Sequence, residues 1–325
     1  MVFNQVDYPQ ISQILADENK QSALISEICG WKPALVSHLE NPKFRNFQVF
    51  PAHDFFTLSE NQMAPSLNTP KLFFWTLNLL LGLAFIVEIL APRFSSDFDA
   101  LTLTLAAVAS VAALNRQLPL QNVLPAALIT AAVGGLAHGF SANQNFSIPF
   151  GPIVFSPAFG AKIFNTIPWP ILMLWVVAIF NARGMARLIL RPWRKVKNYG
   201  FWLIGLTAVL AVAFDVALEP FAWHVKHFWL WQPTRLPITW QGTTLLNFFG
   251  WLFVSALILA FATPSLIKKQ PGNPSQPDLH PLAVWLGAFV LFTAGAAGAG
   301  LWWPVGVDAA IAVVTTVFAV RGAQW

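Results

Sequence analysis

Cysteine is almost missing from this chain. Cys29 is the single one in 325 residues, which excludes an internal disulfide framework and leaves the redox compartment undetermined. Charge is scarce as well: Asp, Glu, Lys and Arg make up 10% of the residues, against about a quarter in a soluble globular domain. The expected solvent is therefore a bilayer. Tyrosine occurs only as Tyr8 and Tyr199. No glycine-rich phosphate loop follows a strand and no serine sits in a nucleophile elbow, so group transfer from nucleotides has no support. Histidines are too few, at six, for the repeated boxes of a membrane di-iron oxygenase. His224 and His227, three apart and near Glu219, are the one metal-like grouping. They read better as part of an interfacial loop, and no metal or other cofactor is expected.

What the chain has in quantity is apolar and aromatic. Hydrophobic residues make up 56%, with 15 tryptophans and 29 phenylalanines. Such a load can belt the membrane interfaces or line a site for a long apolar ligand. The net charge of +5 does not point to nucleic acid, because the basic residues sit in short loops beside hydrophobic segments and act as topology signals.

Residues 1–70 form a polar extension, expected on the cytoplasmic side, without the apolar core of a signal peptide. Ile11, Ile14, Leu15, Ile25 and Ile28 give a broken helical stripe, predicting a helix over about 11–29; residues 61–70 read as a linker. Residues 71–325 form the transmembrane domain. Its predicted fold class is all-α, a polytopic bundle of about eight helices at 72–91, 98–114, 121–140, 169–190, 200–218, 244–262, 281–302 and 305–320. Only Trp302, Trp303 and Pro304 separate the last two, which leaves open one re-entrant unit in their place. Lysine and arginine fall on the inner side when both termini are inside: Lys71, Arg116, Arg191, Arg194, Lys195, Lys197, Lys268, Lys269 and Arg321 against Arg93, Lys162, Lys226 and Arg235.

That orientation gathers intramembrane polar residues at one face. Glu88, His138, Asp215, Glu219, Asn247 and Asp308 all come near the outer ends of helices, under long loops over 141–168 and 220–243. Each could be merely interfacial; convergence from five helices favours a site. Asp215 and Glu219 are four apart and share a helix face, and Pro220 predicts a helix end at about Leu218. At a helix C-terminus the dipole and burial both disfavour added negative charge, and a neutral carboxylic acid is a proton donor. The competing reading pairs these carboxylates with Arg93, Lys226 or Arg235.

Four stretches in order carry a resemblance: IPFGPIVFSPAFGAKIF (148–164), FDVALEP (214–220), WLW (229–231) and NFFGW (247–251). Over about Leu72 to Ala262 the chain resembles the membrane-bound carotenoid biosynthesis proteins that include CruF-type carotenoid 1,2-hydratases. The resemblance implies addition of water to the terminal double bond of an acyclic carotenoid end group, without a redox cofactor, in a bacterial cytoplasmic membrane. Protonating that alkene makes a tertiary carbocation, which water captures. Carried over by motif, Asp215 is the first general acid and Glu219 the second, and His138 orients water; Glu88, from the one-sided polar cluster, completes the catalytic candidates. Phe150, Trp229, Trp231 and Trp251 are candidates to line the polyene channel, with Asn247 holding a loop or the nascent hydroxyl; interfacial packing explains each aromatic equally well. The pattern departs at Ala137, His138, Ser147, Pro152, Ile153, Trp240, Gln241, Thr243 and Thr244, which leaves a different isoprenoid substrate open. Expected partners are a carotenoid or other long isoprenoid, the lipid bilayer and other carotenoid pathway enzymes. A non-catalytic carotenoid-binding or assembly protein stays the rival reading. A transporter would show internal repeats, and none is evident.

Overall fold

The computed structural model describes residues 69–91, 96–143, 145–234, 238–267 and 276–325. The helix expected over 11–29, most of the linker, Arg93 and Arg235 lie outside these residues.

Lipid offers no hydrogen bonds to a backbone, so long apolar runs close their own as helices. Among the described residues eight form: α1 (Thr69–Leu90), α2 (Ser96–Asn115), α3 (Leu120–Ala142), α4 (Pro170–Ile189), α5 (Tyr199–Pro220), α6 (Leu245–Ala262), α7 (His280–Gly298) and α8 (Trp302–Ala323). All eight are long and apolar enough to cross a membrane, and the chain is an integral membrane protein of all-α bundle type. α1 begins inside the stretch read as linker, Pro70 fitting a first helical turn where its missing N–H costs nothing.

The last two helices are separate. Their break falls at residues 299–301, where Gly300 takes a φ of 74°, so Trp302 and Trp303 open α8 rather than forming the connection. α4 is the central helix, packing on α2, α3, α5, α7 and α8. Its spanning window is 78% buried, against 22% for α8 at the periphery.

The two long loops meet. β1 (Ile153–Phe155) pairs antiparallel with β4 (Trp229–Trp231), Ile153 opposite Trp231 and Phe155 opposite Trp229. The two-residue period puts Trp229 and Trp231 inward and Leu230 outward. Two further ribbons are short: β2 (Lys162–Ile163) with β3 (Ile167–Pro168), and β5 (Thr239–Trp240) with β6 (Thr243–Thr244).

The expected helix end at Leu218 is overturned. α5 runs through Pro220 and continues as a π-helical turn over Phe221–Val225. Proline removes the N–H that would bond the carbonyl four residues back, here that of Val216. The Trp240 indole donates to that carbonyl at 3.0 Å instead. Asp215 and Glu219 therefore lie within a continuing helix, and the helix-end argument for their neutrality lapses; burial alone remains.

Candidate functional site

Asp215 and Glu219 project from one face of α5 and are both buried. Across from them, in the first turn of α6, the Asn247 side chain donates to Asp215 Oδ2 at 2.5 Å and to Glu219 Oε1 at 3.2 Å. One amide thus bridges both acids. Glu219 Oε2 accepts three further bonds, from the Trp229 indole (3.1 Å), the Trp231 indole (2.8 Å) and the Thr243 hydroxyl (2.8 Å). The inward tryptophans of β4 and the β6 hydroxyl are what bring these donors within reach.

The two acids end up in opposite circumstances. Four donors converge on Glu219, the environment of a carboxylate whose charge is shared out. Among the described residues, Asp215 has the Asn247 donor alone; its Oδ1 is buried without a hydrogen-bond partner there, as is Asn247 Oδ1. Two buried carboxylates joined through one amide disfavour a second negative charge.

One turn along α6 from Asn247, Trp251 stacks on Trp175 of α4 with ring centroids 4.1 Å apart. His138 of α3 sits in the same aromatic nest, 4.4 Å from the Phe150 ring and 6.5 Å from that of Trp251. The Trp175 indole donates to His138 Nδ1 at 3.0 Å. A nitrogen that accepts there cannot also donate to the Gly134 carbonyl 3.2 Å away, so this geometry places the imidazole proton on Nε2. Among the described residues, His138 bonds neither acid.

Close packing holds the layer together. A Cβ on Gly250 would stand 2.8 Å from the Pro149 carbonyl oxygen, so the loop carrying Phe150 sits directly on α6. Phe150 is pinned at both backbone groups: its N–H donates to the Ser141 hydroxyl at 3.0 Å and its carbonyl accepts from Thr244 at 3.2 Å. The four sequence stretches singled out above therefore touch one another: the Pro149–Phe150 turn on Gly250, β1 on β4, and β4 with Asn247 on the acids.

Other candidates lie elsewhere. Glu88 joins a separate ionic group in which Lys226 pairs with both Glu88 and Asp99, and Thr102 donates to Glu88 at 3.3 Å. Lys226 thus does not neutralise Asp215 or Glu219. Asp308 is buried in α8 with neither carboxylate oxygen bonded among the described residues. His224 bonds the Gln241 carbonyl at 2.9 Å and its ring is 5.3 Å from that of Trp223. Among the described residues, no three histidine, cysteine or acidic side chains group as metal ligands.

An apolar cavity of about 60 Å³ is walled by Phe85, Phe159, Phe214, Phe221, Trp229 and Phe292, with Glu88 and Asp99 rather than Asp215 and Glu219 among its lining. Trp229 is shared, its ring lining the cavity and its N–H bonding Glu219. Of the proposed channel aromatics Trp229 alone lines this cavity; Trp231 serves Glu219, while Phe150 and Trp251 surround His138.

Sequence reasoning missed Thr243, Trp175, Asp99 and the pairing role of Lys226. Trp240, Thr243 and Thr244 stand out in the sequence as departures from the family pattern, a signal of position but not of partner.

No curated protein and no solved structure matches this chain. The family described as carotenoid biosynthesis protein matches residues 98–315, more than half of the chain and all of the acid cluster, and the chain belongs to that family.

Proposed function

We propose that this protein hydrates the terminal double bond of an acyclic carotenoid end group, with Asp215 as the acid. The observation that carries the reading is the asymmetry of the buried pair: among the described residues four donors converge on Glu219, while Asp215 has one donor and a bare oxygen. A proton on Asp215 Oδ1 relieves the repulsion of two adjacent charges and is the one available for transfer.

The step balances without a redox cofactor. Asp215 gives its proton to the less substituted carbon of the terminal alkene, and the electron pair of the double bond forms the new C–H bond. The other carbon becomes a tertiary cation. A water molecule adds its lone pair there, and the proton it sheds returns to Asp215. The net change is one water added. Trp229 and the phenylalanines beside it present π faces that stabilise a cation, and we assign the polyene to the apolar cavity they line, which is linked to the acid pair through Trp229 and its bond to Glu219. His138, neutral and with its proton on Nε2, is assigned to orient water.

Expression in a bacterium that accumulates lycopene or γ-carotene, followed by chromatography and mass spectrometry, tests this. The expected product is heavier by one water, and Asp215→Asn lowers its yield by about 100-fold or more. Unmodified carotenoid co-purifying with an inactive wild-type protein would replace the hydratase with a carotenoid-binding role.

A further inference from the structure

Asp215 and Asn247 are bonded to each other, yet among the described residues each keeps one buried oxygen without a hydrogen-bond partner. The exposures are 1% for Asp215 and 0% for Asn247. Buried polar oxygens are nearly always satisfied, because leaving one without a donor costs about 1–3 kcal/mol. Two such oxygens belong here to one bonded pair.

The amide shows which functions are free. Both hydrogens of Asn247 Nδ2 are engaged, one on Asp215 Oδ2 at 2.5 Å and one on Glu219 Oε1 at 3.2 Å. Turning the amide over would set its oxygen against a carboxylate whose other oxygen already collects three donors, so the nitrogen faces the acids. Asn247 Oδ1 therefore only accepts. Asp215 Oδ1 donates while it holds a proton and accepts once it has given it up. An alkene satisfies neither oxygen, whereas a water or a hydroxyl group, with hydrogen to give and lone pairs to receive, satisfies both. Phe214 and Leu218, which flank Asp215 along α5, line the apolar cavity assigned to the polyene.

We propose that Asp215 Oδ1 and Asn247 Oδ1 form a hydroxyl site, which holds the reacting water by its two hydrogens and then holds the tertiary alcohol that the water becomes. This assignment rests on the hydratase reading and gives its water a place. After Asp215 has protonated the alkene, water directs one hydrogen to Asp215 Oδ1 and the other to Asn247 Oδ1, which leaves its lone pairs free for the cation. As the new C–O bond forms, the O–H bond facing Asp215 breaks and its hydrogen returns to that oxygen. The product hydroxyl keeps its hydrogen on Asn247 Oδ1 and accepts from the restored acid. His138, with its proton on Nε2 and its Nδ1 engaged by Trp175, takes neither hydrogen. Asn247 thus ties the acids together through its nitrogen and grips water through its oxygen.

A high-resolution structure of the full-length wild-type protein without added carotenoid is the first test. A water within about 3.2 Å of both oxygens is expected. Either oxygen bonded only to protein, including a closed pair in which the Asp215 proton bonds Asn247 Oδ1, overturns the proposal. The second test uses Asp215→Asn, expected to be inactive but to retain a donor for the hydroxyl oxygen. Quenching of its tryptophan fluorescence by lycopene and by the tertiary alcohol made from lycopene by hydration gives two affinities. The alcohol is expected to bind about tenfold tighter. Adding Asn247→Leu should abolish that preference while leaving lycopene affinity within about twofold, a result that loss of the tie between the acids would not by itself produce. Equal affinities in Asp215→Asn, or no binding of either polyene, also overturn the proposal. Water on both oxygens in a wild-type protein that yields no hydrated product would uphold the hydroxyl site and sink the hydratase reading.

Discussion

Lys226 illustrates how little a residue's type reveals of its partner. In sequence it is a loop lysine next to two candidate acids; folded, its ammonium is buried between Glu88 and Asp99, acids from two other helices. Removing the cation leaves two carboxylates facing each other out of water. Lys226→Met is expected to cost about 3–5 kcal/mol of stability in an unfolding titration. Adding Glu88→Gln should recover part of that loss, and a cost below about 1 kcal/mol would contradict the buried triad. Asp215 and Glu219 carry the opposite lesson. Their shared face follows from a spacing of four, but which of the two is satisfied depends on Asn247, Thr243 and two tryptophans that no spacing links to them.

At the scale of elements, α5 shows how a breaker can be accommodated. Pro220 leaves the Val216 carbonyl without its helical donor, and the Trp240 indole supplies one from a loop twenty residues further on. Replacing that indole should matter only while the proline is present. Trp240→Phe is expected to destabilise the wild-type protein by about 1 kcal/mol. The same change should be close to neutral in Pro220→Ala, where the backbone N–H returns. A double-mutant cycle with no coupling between the two positions would refute the compensation. The WLW strand was legible in the same limited way: alternation puts both tryptophans on one side, whereas the side that meets Glu219 is decided by pairing with β1.

For the whole molecule, α4 is the post on which α2, α3, α5, α7 and α8 pack. Ala178, Ala182 and Ala186 have no exposed surface, so a larger side chain there has nowhere to go. Ala182→Leu should cost about 1–3 kcal/mol by overpacking. Val313→Leu, on the exposed face of α8, should stay within about 0.5 kcal/mol by the same thermal or denaturant measurement.

The type of the spans and the places of the first six were determined by the sequence alone, because a bilayer forces any apolar run of about twenty residues to close its own hydrogen bonds, whereas the separation of the last two at Gly300 was not. The order of the four stretches and the shared face of Asp215 and Glu219 were local facts of the same kind. The tertiary structure decided what local periodicity does not encode. It carried a helix past a proline, drew Glu88 away to Lys226, left Asp308 and His138 without a bond to either acid among the described residues, and set four donors on Glu219 and one on Asp215. Each of those outcomes depends on atoms far apart in the chain, whose meeting is fixed only when the buried polar groups of all the helices compete for partners in a solvent that offers none.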